Sequence, residues 1–301
     1  MSDSPSVLWL PALTRFAAAS PLRRMFARAD RLADGAAGHL DALAGYFATG
    51  ATPVPVAALT RELARGDAGD ATWLCADPAW IEPELTGARL LACGRLALEP
   101  DEVAALAEAL QPLFLEQGMT LETTTPERWH LRVPAGLPLP DFPAPEQALG
   151  AQLIGHLPEG PAARRWRVLL TDIQVTLHQH PLNAARRRRG LPPVNSLWLW
   201  GGGVLPARVT STLAGACSDD ALVRALAARA GMPWRARDPD SALPAGWLLD
   251  LTDLDADAID GTWWPHVERW ACRQPLLLHL ADGQRRRWRP WHRLRVWRDR
   301  R

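Results

Sequence analysis

Asn183, Arg186, Asn195, Gly201, Gly202 and Gly203 stand close together around the run Ser196-Leu-Trp-Leu-Trp200, and their residue types suit recognition of an anion. Arg186 can grip a phosphate or carboxylate through two N–H groups at once. Ser196 to Trp200 is short and apolar, bounded by Asn and Gly, so it is expected to be a buried strand. Glycines at its carboxyl end let the backbone turn at positive φ and let a ligand approach closely. Open α/β sheets bind ligands at the carboxyl ends of their strands, so these six residues are the expected ligand-binding set. A competing reading has Asn183 and Asn195 capping turns. Arg186 to Arg189 is then a solvated charge run.

Other stretches offer less. His178 and His180 form an H-x-H pair, but at a helix end the rings point about 200° apart. Gly201 to Pro206 departs from a dinucleotide fingerprint because Pro206 stands in the third glycine position. The chain contains no Lys, which excludes a Walker loop. No Ser has the flanking glycines of a nucleophile elbow. Asp253 to Asp257 has the opening of a calcium loop, yet Ala258 and Trp264 stand where Gly and a bidentate Glu are needed. It reads as a solvated acidic turn. Nine Arg and one Asp between Arg285 and Arg301 give that stretch +8, against −7 for the rest, and Trp288, Trp291 and Trp297 are interleaved. That pattern fits either a nucleic-acid surface or a half-exposed strand over Arg293 to Trp297.

The elements that must position these groups alternate. Strands are expected at Ser6–Leu10, Trp73–Pro78, Arg89–Leu98, Arg128–Val133, Gly246–Leu251 and Leu276–Leu280. Helices are expected at Leu22–Leu32, Leu40–Phe47, Val54–Arg65, from Glu99 onward, around Trp166–Leu177, at Asp219–Ala230 and at Val267–Cys272. Asp282-Gly283 is a hairpin turn. Pro134 to Pro145, with five prolines, is an ordered loop. The pattern predicts an α/β core over residues 1–72 and 146–301, with an α+β cap-like portion over 73–145.

A chain of 301 residues, 48% apolar and 22% charged, can build a large core and is globular in composition. Cys75, Cys93, Cys217 and Cys272 are too scattered for a zinc ribbon or a thioredoxin motif. No apolar window is long enough to span a membrane, and no signal peptide is visible. A cytoplasmic protein with reduced thiols is expected.

The pattern H-P-x-N-x-x-R-x-x-x-G-x-P-P-x-N-x-x-W-L-W-G-x-G over His180 to Gly203 resembles a segment of the archaeal-type cofactor-independent phosphoglycerate mutases. Fainter likeness extends to Leu96–Phe114, Trp129–Leu131 and Leu226–Met232. With Leu10-Pro11, Arg15-Phe16 and the Trp/Arg-rich end, the whole chain is most similar to the bacterial RpfE-type regulatory proteins. The resemblance implies an alkaline-phosphatase-like mixed sheet flanked by helices. It also implies a two-metal site, which in those mutases activates a Ser or Thr nucleophile. Here Leu10-Pro11-Ala12-Leu13 follows the first strand where the family has a metal-binding Asp, and Trp247 to Asp260 contains no His.

The expectation is therefore a phosphoglycerate-mutase-like protein with a degenerate metal site and no cofactor, binding a phosphorylated or carboxylated metabolite in a regulatory role. An active enzyme would need Mn or Zn on rearranged ligands drawn from Asp250, Asp253, Asp257 and His266. Nucleic-acid binding through the Arg/Trp-rich end is a third reading, and no membrane partner is expected.

Overall fold

The computed structural model describes residues 4–84, 87–153, 160 and 163–298. It forms two compact units, residues 1–50 with 208–301, and residues 51–207. The first unit begins with β1 (Ser6–Leu10), α1 (Pro21–Arg28), β2 (Asp30–Arg31), α2 (His39–Ala44) and β3 (Phe47–Ala48). The second contains α3 (Val56–Arg65), β4 (Thr72–Glu84), β5 (Gly87–Cys93), α4 (Pro100–Glu116), β6 (Thr120–Thr123) and β7 (Trp129–Val133). It continues through α5 (Pro145–Ala148), α6 (Ala163–Gln179), α7 (Pro181–Arg188) and β8 (Ser196–Val204). The chain then returns to the first unit with β9 (Thr210–Ser211), β10 (Gly215–Cys217), α8 (Ala221–Arg229), β11 (Trp234–Arg235) and β12 (Trp247–Asp250). A helical stretch of α9 (Ala256–Ala258), a π turn (Ile259–Trp263) and α10 (Trp264–Ala271) leads to β13 (Leu276–Leu280) and β14 (Arg285–Trp288).

Among the described residues the first unit carries a seven-stranded sheet in the order β11-β10-β12-β1-β13-β14-β2. The first five run parallel, and β14 and β2 are added antiparallel. This is the α/β core that the alternating pattern predicts, with the mixed sheet flanked by helices that the resemblance implies. β1 is buried on both faces, as central strands of parallel sheets are. Leu8, Leu10, Leu249, Leu276 and Leu278 pack with Phe26 of α1 and with Val267 and Ala271 of α10.

The second unit is α+β. Among the described residues its five-stranded antiparallel sheet runs β5-β4-β7-β6, with β8 also paired to β4. One face carries α4 and α6, whose Leu106, Leu110, Phe114, Trp166, Ile173 and Leu177 make the core with Leu74, Leu131 and Leu199. Glu99 caps α4 in a capping box with Glu102, whose side chain accepts from the Glu99 N–H at 3.1 Å.

The boundaries at 72/73 and 145/146 expected from sequence differ from the observed 50/51 and 207/208. The reason is β8. Its pairing with β4 draws everything up to Ala207 into the antiparallel unit, and α3 packs there too. Ser196 to Trp200 is thus a strand, but not one of a parallel sheet. A second correction concerns Arg293–Trp297. It forms 3-10 turns (Pro290–Leu294 and Val296–Arg298) rather than a strand, while the half-exposed strand after the Asp282-Gly283 turn is β14.

Candidate functional site

The structure brings Asn183, Arg186 and Asn195 to the approach to β8 and sets Gly201, Gly202 and Gly203 at the far end of that strand, and the polar side chains are engaged by the chain itself. Asn183 is 1% exposed. Its amide donates to the carbonyls of Leu177 (2.7 Å) and Val194 (2.8 Å) and accepts from the Val194 N–H at 2.8 Å. That pins the end of α6 and the start of α7 to the approach to β8. Asn195 does the same for β4, accepting from Ile81 N–H at 2.8 Å and donating to Ile81 O at 2.7 Å.

Arg186 does grip a carboxylate, but the chain's own. Its guanidinium is fully buried and lies 2.5 Å from Glu102 Oε2, with further bonds to the carbonyls of Pro192 (2.9 Å) and Leu96. Arg189 adds a second contact to Glu102 at 3.1 Å. The charge run is therefore split. Arg186 faces inward and clamps α7 to α4, while Arg187, Arg188 and Arg189 are exposed.

The glycines lie inside β8 and serve close approach of α3. A Cβ at Gly201, where φ is +60°, would stand 2.7 Å from Val56, and one at Gly203 would stand 2.8 Å from Pro55. At Gly202 it would meet Leu74 and Leu139, each at 2.8 Å. Protein already fills the space that a ligand would take.

The register of the parallel sheet assembles a different constellation. Trp9 pairs with Asp250 on one side and His279 on the other, and His279 pairs with Arg285. Paired residues share a face. Trp9, Asp250, His279 and Arg285 therefore form one row near the carboxyl ends of the parallel strands, where such sheets carry their sites. Ser218, just beyond β10, joins it by donating to Asp250 Oδ2 at 2.8 Å. His39 stacks on Trp9 (centroids 4.9 Å apart) with its Nε2 3.8 Å from Asp220, and Tyr46 Oη lies 2.6 Å from His279 Nδ1.

Burial sets the ionisation of this row. It raises the Asp250 carboxyl above its ordinary range, against the opposing hydrogen bonds from Thr252 and Ser218. It lowers His279 to about 4, with the Arg285 charge acting in the same direction, so this imidazole is neutral at pH 7. Tyr46 is pushed up by the same desolvation. In the second unit His130, held between Thr60 and Thr124, is lowered to about 3 by burial and by Arg128 and Arg61.

The fallback ligands Asp250, Asp253, Asp257 and His266 do not fit a metal. Both oxygens of Asp250 accept from N–H or O–H donors, namely Ser218 Oγ, Thr252 Oγ1 and the Thr252 N–H. Both oxygens of Asp253 are held by Arg237, which also binds Asp219 at 2.9 Å. Asp257 is exposed on α9. His266 lies beside Trp270 in a cavity of about 270 Å³ that it shares with Arg269 and Arg273. Asp240 lines the same cavity, but none of Asp250, Asp253 and Asp257 does, so His266 is not brought to the other three candidate ligands. Among the described residues no group of three or more His, Cys, Asp or Glu is arranged to hold one.

Of this row, sequence reading reaches only Asp250, and that as a metal ligand. The signal for the rest was a polar residue closing each apolar strand: Asp250 after Trp247-Leu-Leu, His279 within Leu276–Leu280, and Ser218 after Gly-Ala-Cys. Joining them required the strand order.

No known protein-family profile matches the chain. Part of it is similar to curated proteins. A stretch of 62 residues is 39% identical to a probable 2,3-bisphosphoglycerate-independent phosphoglycerate mutase of Geobacter sulfurreducens, covering 21% of this chain and 16% of that protein. A stretch of 63 residues, also 21% of this chain, is 35% identical to the 2,3-bisphosphoglycerate-independent phosphoglycerate mutase of Methanothrix thermoacetophila, again over 16% of its length. Among solved structures, a cofactor-independent phosphoglycerate mutase from Thermoplasma acidophilum aligns over 96% of this chain and 90% of its own, at 17% identity and a TM-score of 0.39. A protein of Pyrococcus horikoshii aligns over 95% and 86%, at 13% identity and a TM-score of 0.45. No helix among the described residues is long and apolar enough to cross a membrane.

Proposed function

We propose that this chain is a phosphoglycerate-mutase-like protein of alkaline-phosphatase-like build that works by binding, in a regulatory role of the RpfE type, and not by metal-dependent phosphoryl transfer. One observation carries the reading: the acids at the carboxyl edge of the parallel sheet are already spent. Asp250 is closed off by Ser218 and Thr252, and Asp219 and Asp253 are bound by Arg237. A two-metal centre needs such carboxylates free and deprotonated. Engaged by hydrogen bonds and a guanidinium, they support the strand ends instead.

The expected ligand is a small phosphorylated or carboxylated metabolite. The motif around Asn183, Arg186 and Asn195 would act on it only indirectly, by holding the second unit together. The test is calorimetric titration with 3-phosphoglycerate, paired with a turnover assay in excess manganese. Binding without turnover supports the reading. Turnover that Asp253→Ala abolishes would replace it with an active enzyme, whose ligands Arg237 releases on metal entry.

A further inference from the structure

The segment after β14 holds large apolar side chains in water. Trp291, Leu294, Val296 and Trp297 are 57, 66, 59 and 66% exposed. Yet the segment is firmly anchored. His292 is fully buried, with Nε2 3.3 Å from Asp30. Asp30 also receives Arg289 at 3.0 Å and Arg295 at 2.5 Å. Arg28 donates to the Arg293 carbonyl at 3.0 Å, and Arg298 to the Ala29 carbonyl at 3.3 Å. The polar side of the 3-10 turns is fastened to α1 and β2, and the apolar side chains are left facing outward. A cluster of large apolar side chains, rigidly displayed, marks an interaction surface.

The charge beside it says what kind of surface. Arg24, on the helix against which both 3-10 turns pack, and Arg293, within the turns, are exposed.

We propose that this face is a peripheral docking surface for an anionic lipid bilayer. Indoles settle at headgroup level and aliphatic side chains reach the acyl boundary, while arginines meet the lipid phosphates. The composition favours lipid over nucleic acid. Leu294 and Val296, between the two indoles, have no flat face to stack on a base.

The experiment is co-sedimentation of the full chain with vesicles of phosphatidylcholine alone and of phosphatidylcholine with phosphatidylglycerol, at low and high salt. Binding is expected to the anionic vesicles only, weakening with salt, and falling about tenfold in the double variant Trp291→Ser/Trp297→Ser. Arg293→Glu provides an independent reading should that variant fold poorly, and it should also weaken binding. Four results would overturn the proposal: no binding to anionic vesicles, binding unchanged in both variants, preferential binding of a single-stranded oligonucleotide, or self-association that the same substitutions remove.

Discussion

Replacing Arg186 by Met separates an architectural role for the His180–Gly203 motif from a ligand-binding one. The side chain is fully buried, and its guanidinium serves Glu102 and the carbonyls of Leu96 and Pro192. Met keeps most of the volume but leaves Glu102, itself 4% exposed, as a buried carboxylate whose remaining cation among the described residues is the exposed Arg189. Removing one partner of a buried pair costs about 3–5 kcal/mol, because the other charge stays desolvated. At roughly 2–4 °C per kcal/mol for a domain of this size, melting of the second unit should fall by about 6–20 °C. The double variant Arg186→Met/Glu102→Met should lose less than the two single variants combined, since no charge is then stranded. Urea and thermal unfolding followed by circular dichroism measure both. An Arg186→Met protein that melts like the parent but no longer binds a phosphorylated ligand would refute the reasoning and return Arg186 to a ligand site.

Three further outcomes are expected. Gly202→Ala should destabilise by about 1–3 kcal/mol, because its Cβ meets Leu74 and Leu139 at 2.8 Å inside a packed core; chemical denaturation reads this. His279 and His130 are neutral in the fold, at about 4 and about 3, against 6.5 unfolded. The unfolded chain therefore binds more protons as pH falls below 6.5, and the stability these residues contribute is full above 6.5 and lost on acidification toward 4. His279→Gln should flatten that slope by up to about 1.4 kcal/mol per pH unit, and an unchanged slope would contradict the buried, neutral state. Arg237→Ala should loosen the stretch around Asp219 and Asp253 by freeing both carboxylates, visible as faster local hydrogen exchange there than at β1.

Much of the fold was legible because its signals are local. Buried β1, the capped start of α4, Gly66 and Gly231 closing α3 and α8 at φ +69° and +67°, and the Asp282-Gly283 hairpin can all be read from neighbours in sequence. Ser196 to Trp200 was legible as a strand but not as an antiparallel one, since a short apolar run looks the same in either setting. That one ambiguity moved the glycines from the mouth of a parallel sheet, where they would admit a ligand, to the underside of α3, where they admit Val56 and Pro55. Arg186 illustrates the same limit. Four consecutive arginines look solvated, and only the helical phase against α4, with Glu102 84 residues away, shows which one turns inward. The row of Trp9, Asp250 and His279 depends on strand order, which no local pattern encodes.

The central claim, that the acids at the carboxyl edge of the parallel sheet support structure and hold no catalytic metal, is tested most directly by elemental analysis of protein purified without chelator. Manganese and zinc should both be well below one equivalent, and adding either should leave the melting temperature unchanged. Two tightly held equivalents, lost together on Asp250→Ala or Asp253→Ala, would contradict it.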